Sequence, residues 1–246
     1  MMSFKRGIGI VLLAALPATA LGQESGNGFL FGTPTGSLTF RVGWAAPRAG
    51  GDLFAFTTNE LTLNRGDFSS PDAGMDLSFH VFRRTELMLS VDYSGMVKKS
   101  EFRKFIDNND LPIEQTTSFR RIPLTVSVKQ YLTSPGRSIG KFAWIPSKAA
   151  VYVGAGGGGQ YYRFQQEGDF IDFDTMNVFH DLFKSDGWAP TAHVLAGFDY
   201  TLSPRWAVTT EGRYTWSHAE LSDDFSGFKP LDLSGFATNV GLTVRF

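Results

Sequence analysis

The C-terminal stretch Phe236-Ala-Thr-Asn-Val-Gly-Leu-Thr-Val-Arg-Phe246 carries the clearest structural pattern in the chain. Apolar side chains occupy one set of alternate positions, at Phe236, Val240, Leu242, Val244 and Phe246. Small or polar residues, including Asn239 and Arg245, lie between them. Because alternate side chains of a strand point to opposite faces, this pattern predicts a β-strand with one apolar face and one polar face.

The same alternation recurs upstream and predicts eight strands in all. The seven further segments span residues 37–44, 75–82, 87–93, 122–129, 151–161, 193–202 and 206–216. None of the apolar positions in these segments carries a charge, whereas the opposite positions carry many polar groups. These form a predicted polar network of Arg41, Asp76, His80, Asp92, Lys129, His193, Asp199, Glu211, Arg213 and Arg245.

The charges decide which face of a closed barrel points inward. A soluble barrel would keep the apolar face inside, around an apolar ligand, whereas a membrane barrel turns that face to lipid. A lumen made almost wholly of large aromatic and branched side chains would be overfilled. The sequence therefore predicts an all-β protein, an eight-stranded antiparallel up-and-down transmembrane barrel with the charges in its lumen.

An eight-stranded barrel has an interior just wide enough for side chains to fill it. Because an unpaired buried ion is costly, the lumen charges are expected to pair as a hydrogen-bonded plug. The alternative is a narrow polar pathway through the same residues.

The segments between the strands alternate in length, as expected for a membrane barrel with short periplasmic turns and long external loops. Residues 83–85 and 203–205 are short turns, and 133–148 is an unusually long one. The long polar segments are 45–73, 98–118, 166–187 and 218–232. Leu-Phe-Ala-Phe and Leu-Thr-Leu within 53–63 could add a hairpin, which would give ten strands.

Aromatic residues cluster near the predicted strand ends, where amphipathic rings settle at lipid headgroups. The predicted outer girdle contains Trp44, Tyr93, Tyr161, Tyr214 and Trp216, and the predicted periplasmic girdle contains Tyr131, Tyr200, Trp206 and Phe246.

Residues 1–22 have the pattern of a secretory signal peptide, with Lys5 and Arg6, an apolar run from Gly7 to Leu16, and Ala18-Thr-Ala20 as a cleavage site. Residues 23–246 would then form the barrel domain.

Loss of the signal leaves a net charge of −3, since it carries two basic residues and no acid. That charge lacks the basic footprint of a nucleic-acid-binding protein. No cysteine is present, which excludes disulfides and thiolate sites.

The remaining motifs predict neither a cofactor nor an enzyme. Gly154–Gly159 match G-x-G-x-x-G, but no helix pattern follows them, so sharp curvature or close packing explains the glycines better. Two polar sets could contain a Ser/His/acid triad: Ser217 with His218 and Glu220, and His193 with Asp199 and Glu211. Neither matches a known barrel-enzyme motif. No metal site is expected.

Taken together, these features resemble the small bacterial outer-membrane barrels of the OmpA/OmpX and OmpW types. The closing strand, with Phe236, Val240, Leu242, Val244 and Phe246, resembles the C-terminal assembly signal of outer-membrane proteins. The resemblance implies an outer-membrane location, contact with outer-membrane lipids, insertion by the barrel assembly machinery and a monomeric state. It implies a non-enzymatic role in envelope stability or surface interaction. A narrow conduit for small or apolar solutes and a lipid-modifying enzyme are the alternatives.

Overall fold

Eight long antiparallel strands dominate the computed structural model, which describes residues 28–106, 110–140, 142–172, 175 and 177–246. The predicted signal peptide, residues 1–22, lies outside the described residues. The strands are β1 (Gly36–Pro47), β2 (Ser70–Phe82), β3 (Thr85–Ile106), β4 (Pro112–Tyr131), β5 (Ala149–Ile171), β6 (Val178–Thr201), β7 (Trp206–Ala219) and β8 (Gly235–Arg245).

These strands form a closed ring. Each pairs antiparallel with the next one along the chain, and β8 pairs back with β1 through contacts such as Val240 opposite Val42. Closure leaves no strand edge within the ring, so every strand has two hydrogen-bonding neighbours. The predicted eight-stranded up-and-down barrel is confirmed.

Side-chain alternation sets the two surfaces of the barrel. On β8, Phe236, Val240 and Leu242 are 48%, 52% and 43% exposed, whereas Asn239 and Arg245 are buried. The other strands repeat this arrangement, so an apolar belt covers the outer wall and polar groups point inward. Such a surface matches the apolar band of a transmembrane barrel.

The wall is much taller on one side than on the other. Strands β3 to β6 have 22, 20, 23 and 24 residues, whereas β1, β2, β7 and β8 have 12, 13, 14 and 11. About 9–11 residues per strand suffice to span a bilayer. The four long strands therefore project well beyond a membrane at the end that carries the long connections, here called the loop end.

The projecting strands contradict the prediction that two segments are loops. Residues 98–118 and 166–187 were expected to be loops, but strand pairing continues through most of both segments, for example at Lys99 opposite Thr116 and Gln165 opposite Lys184. Of the residues described in these two segments, those outside the strands are Asp110, Leu111, Asp172, Thr175 and Asn177. The prediction failed because, outside lipid, a hydrogen-bonded strand pair needs no apolar outer face to mark it.

The connection between β1 and β2 folds into helix α1 (Asp52–Glu60) and a 3₁₀ turn (Arg65–Phe68). The ten-strand alternative is therefore wrong, since residues 53–60 are helical. Leu53, Phe54 and Thr57 of α1 are buried, whereas Asp52 and Asn59 are exposed. A second 3₁₀ turn (Asp223–Phe225) and a short strand (Leu231–Asp232) lie between β7 and β8. Among the described residues, no helix has the length and apolar character needed to cross a bilayer.

The opposite end of the barrel, here called the turn end, carries a small three-stranded sheet. Its strands are Leu30–Phe31, Ala143–Pro146 and Gly136–Ile139. This sheet explains why the segment 133–148 is longer than an ordinary turn. Trp144 is buried in it, whereas Phe142 is 77% exposed.

Candidate functional site

The centre of the lumen is a charged layer built around Arg41. Its guanidinium lies 2.7 Å from Asp92 Oδ1, 2.8 Å from Asp76 Oδ1 and 3.1 Å from Glu211 Oε1. Arg41 is only 2% exposed. Strands β1, β2, β3 and β7 each contribute one of these four residues, so the layer ties together strands across the barrel.

Arg213 completes this central layer. It lies 2.9 Å from Glu211 Oε1, 3.2 Å from Asp92 Oδ2 and 3.9 Å from Asp76 Oδ1, so all three carboxylates contact both arginines. Removing one partner from such a buried network leaves an uncompensated charge, which costs about 3–5 kcal/mol. The pairs therefore connect β1, β2, β3 and β7 through the interior of the barrel.

A second layer, here called the basal layer, lies nearer the turn end and contains Lys129, Tyr131, Tyr152 and Asp199. Lys129 Nζ lies 3.5 Å from Asp199 Oδ2 and sits over the Tyr152 ring, 3.9 Å from its centroid. The Tyr131 hydroxyl donates to Asp199 Oδ2 at 2.6 Å. The Tyr152 hydroxyl donates to Glu211 Oε2 at 3.1 Å, which links the basal and central layers.

The position of Tyr131 corrects the predicted periplasmic girdle. Its side chain points into the lumen and is 5% exposed. The alternation could have shown this, because Tyr131 shares its parity with the inward Lys129 and not with the outward Val128. The inward position of Tyr152 was not predicted either. It follows from the same alternation, because the neighbouring Val151 and Val153 point outward.

The remaining predicted lumen residues occupy separate positions. His193 is buried, and its Nε2 lies 2.7 Å from Ser127 Oγ. His80 is near the turn end, with Nδ1 3.9 Å from Glu86 Oε1. Arg245 also lies at the turn end, where its Nη2 donates to Thr201 Oγ1 at 3.2 Å.

Neither predicted triad forms. Asp199 and Glu211 contact Lys129 and Arg213, while His193 contacts Ser127, so that set is divided among different partners. At the loop end the Ser217 hydroxyl donates to the carbonyl of Pro190 at 2.9 Å. Its neighbour His218 lies 3.7 Å from Asp232 instead.

A third layer, at the loop end, is apolar and is here called the loop-end core. Phe54 of α1 lies at its centre, with ring centroids 4.8 Å from Phe68, 5.7 Å from Phe119 and 5.9 Å from Phe164. Inward residues of the projecting strands, among them Ile113, pack around this group. The sequence pattern does not predict this layer, because inward positions are polar in the membrane-spanning segments and become apolar only beyond them.

The predicted girdle residues other than Tyr131 fall into exposed and half-buried groups. Trp44, Tyr93, Tyr200, Trp206 and Trp216 are 41–51% exposed on the outer wall. Tyr214 stacks edge-on against Trp216, with centroids 4.9 Å apart. Tyr161 is half-buried and donates from its hydroxyl to Asp186 at 2.9 Å. Trp188, 64% exposed, packs beside it and extends this outer group.

The glycine-rich segment of β5 is ordinary strand in this barrel. A Cβ at Gly156 or Gly158 would collide with the backbone of β4, at the carbonyls of Val126 and Leu124. The close approach of these two strands therefore explains the glycines. In the described ranges, no group of three or more His, Asp or Glu side chains is arranged to hold a metal ion.

No protein-family model matches this chain, and no curated protein matches its sequence. The chain is similar in fold to several solved structures. For OprG from Pseudomonas aeruginosa the TM-score is 0.48 at 14% identity, covering 88% of this chain and 99% of that one. For Neisserial surface protein A the corresponding values are 0.43, 12%, 86% and 96%.

Ail, the attachment invasion locus protein of Yersinia pestis, gives a TM-score of 0.37 at 11% identity, covering 86% of this chain and 99% of that one. The closed ring of eight strands and its apolar outer wall carry the assignment, and they confirm that the chain has the fold of the small outer-membrane barrels that its sequence resembles.

Proposed function

We propose that this protein is a non-enzymatic, integral outer-membrane barrel with a closed lumen, which stabilises the envelope and presents its projecting strands at the cell surface. The observation that carries the proposal is the filling of the lumen at three levels. The basal layer, the central charged layer and the loop-end core occupy successive sections of the barrel.

The outer wall supports the membrane location. Its exposed residues are apolar, and aromatic rings lie toward both ends of the belt, as at Trp216 and Trp206. In this orientation the turn end lies in the periplasm and the loop end outside the cell. Outer-membrane lipids and the barrel assembly machinery are then the expected partners, with residues 1–22 as the export signal and the monomer as the working unit.

Neither alternative function has comparable support. A conduit requires a continuous pathway, whereas paired charges cross the lumen in the central layer and packed rings occupy it at the loop end. A hydrolase requires a base held by an acid and open to substrate, but His193 is buried and its Nδ1 has no hydrogen-bond partner among the described residues.

Electrical recording in planar bilayers tests the closed lumen. Insertion is first verified by heat-dependent mobility of the protein on a denaturing gel. We expect correctly inserted barrels to produce no unitary conductance. Stable openings of fixed size would contradict the proposal and favour the conduit.

Cysteine labelling tests the location and orientation. The natural chain has no cysteine, so single substitutions are free of background. Lys99→Cys at the loop end and Arg137→Cys at the turn end are both exposed and form a matched pair. On intact cells, a membrane-impermeant maleimide should label only Lys99→Cys. After cell lysis it should label both, and labelling of Arg137→Cys on intact cells would refute the orientation.

A further inference from the structure

A polar cavity of about 520 Å³ lies at the turn end of the barrel. The three-stranded sheet contributes Trp144 and Ser138 to its wall, and the barrel contributes Tyr131, Thr243 and Arg245. This volume falls within the range of small-molecule sites, which is about 300–1,000 Å³. Tyr131 and Asp199 of the basal layer line the cavity, but no residue of the central charged layer does, so the cavity lies on the turn-end side of the central layer.

Positive charge predominates around this cavity. Arg83, Arg84 and Arg245 line it, together with the acids Glu86 and Asp199. Lys129 already lies 3.7 Å from Glu86 and 3.5 Å from Asp199. Among the described residues, none of the three arginines has a carboxylate oxygen within the 4.0 Å at which an ion pair forms. The cavity therefore has a surplus of guanidinium groups over available anions.

Arg245 is the most constrained of these arginines. It is 8% exposed, and its backbone N–H donates to the carbonyl of Arg205 at 2.8 Å, which fixes the residue against the turn. Its guanidinium lies 5.7 Å from the Trp144 ring centroid, and Nη2 donates to Thr201. The buried Nη1 has no hydrogen-bond partner in the described part of the chain. Buried donors are normally paired, and an unpaired one requires an explanation.

We propose that this cavity binds a small polar solute carrying a carboxylate or a phosphate, with Arg245 as the anchoring residue and Arg84 as a second contact. The guanidinium fork matches both kinds of anion. Trp144 and Tyr131 provide flat apolar surfaces beside the charge, and the surrounding hydroxyl groups of Ser37, Ser138 and Thr243 can contact the polar remainder of the solute.

The experiment is a titration of ¹⁵N-labelled, folded protein in detergent micelles, following the indole N–H signal of Trp144 by NMR. The probes are alanyl-alanine, its C-terminal amide and inorganic phosphate. A saturable shift with the dipeptide but not with the amide identifies a carboxylate site, and saturation by phosphate identifies a phosphate site. We expect Arg245→Gln to weaken binding of the effective probe about tenfold or more, the effect of losing one charge-assisted hydrogen bond.

The matched control is Arg205→Gln, which removes a turn-end arginine that does not line the cavity. It should leave the dissociation constant within about twofold of the original, because only general surface charge is lost. Each variant is first checked for heat-dependent gel mobility. If Arg245→Gln fails to assemble, Arg84→Gln is titrated in its place and should also weaken binding.

Two outcomes would overturn the proposal. One is the absence of a saturable Trp144 shift with all three probes at millimolar concentration. The other is equal weakening by Arg205→Gln and by the cavity variant, which would reduce the effect to surface charge. Neither result bears on the closed lumen, which the bilayer recordings test separately.

Discussion

Arg41 and Asp76 face each other across neighbouring strands, with Arg41 Nη2 2.8 Å from Asp76 Oδ1 and Nε 2.8 Å from Oδ2. The arginine lies within 3.1 Å of all three carboxylates of the central layer, whereas Arg213 reaches Asp76 only at 3.9 Å. Because both groups are buried, the stability of the lumen depends on neither charge being left alone.

We therefore expect Arg41→Gln to lower the free energy of unfolding by about 3–5 kcal/mol, the usual cost of breaking a buried ion pair. Asp76→Asn in the same chain should restore part of the loss, since it removes one uncompensated charge. Urea unfolding in lipid vesicles, followed by tryptophan fluorescence, measures both variants. Arg120→Gln on the exposed face of β4 is the control and should change the value by less than about 0.5 kcal/mol. Equal effects at positions 41 and 120 would contradict the central role of Arg41.

The loop-end core should depend on Phe54. Phe54→Ala removes a fully buried ring that packs against three others, and such truncations cost about 3–5 kcal/mol. We expect faster limited proteolysis between β1 and β2, while heat-dependent gel mobility shows that the membrane-spanning part remains folded. Asn59→Ala, at an exposed position of the same helix, should leave the cleavage rate unchanged. If Phe54→Ala also left it unchanged, α1 would not be anchored through this ring.

Single arginine substitutions can measure how much of the outer wall lies within the lipid bilayer. Val126→Arg, in the apolar belt of β4, should destabilise the inserted barrel by about 2–4 kcal/mol. Val97→Arg, four residues beyond the girdle residue Tyr93 on β3, should cost about 0–1 kcal/mol. Both valines are exposed, at 47% and 59%, so the difference reports lipid depth and not burial in protein. Equal costs in vesicles would refute the proposed position of the membrane.

The fourth prediction concerns the pKa of Asp186, an acid on the projecting part of β6. Asp186 lies beyond Trp188, outside the proposed membrane, and a hydrogen bond from Lys184 holds the pKa of its carboxyl below the usual value, with a second bond from Tyr161. A carboxyl with a lowered folded-state pKa adds stability above its unfolded pKa, and this contribution is lost as the pH falls through the folded value.

Carbon-13 NMR of the Asp186 carboxyl measures this shift. We expect Lys184→Ala to raise the pKa of Asp186 toward its usual value, because the main stabilising contact of the carboxylate is removed. Lys104→Ala, which removes a lysine paired with Glu60, should leave that titration where it was. An unaltered midpoint in Lys184→Ala would mean that the hydrogen bond does not control the pKa.

Much of the barrel could be predicted from the sequence because each transmembrane strand has one face against lipid and the other in a polar lumen. The strict alternation at Phe40, Arg41 and Val42 needs no partner strand to be recognised. Such alternation assigned the inward and outward faces of the strands correctly except at Tyr131 and Phe82. Outside the membrane this constraint disappears. The strand extensions at 98–106 and 178–187 therefore carried no readable pattern.

In the lumen too, some features follow from the sequence and others only from the tertiary structure. Parity placed Arg41, Asp199 and Glu211 on the polar face of their strands, because the side-chain period of a strand is two residues. The charges on that face then assigned it to the lumen. Only the tertiary structure decided that Arg41 contacts Asp76, that the Tyr131 hydroxyl contacts Asp199, and that α1 folds into the loop-end core. Those contacts depend on the register and tilt of strands far apart in the chain, and a local sequence pattern contains neither quantity.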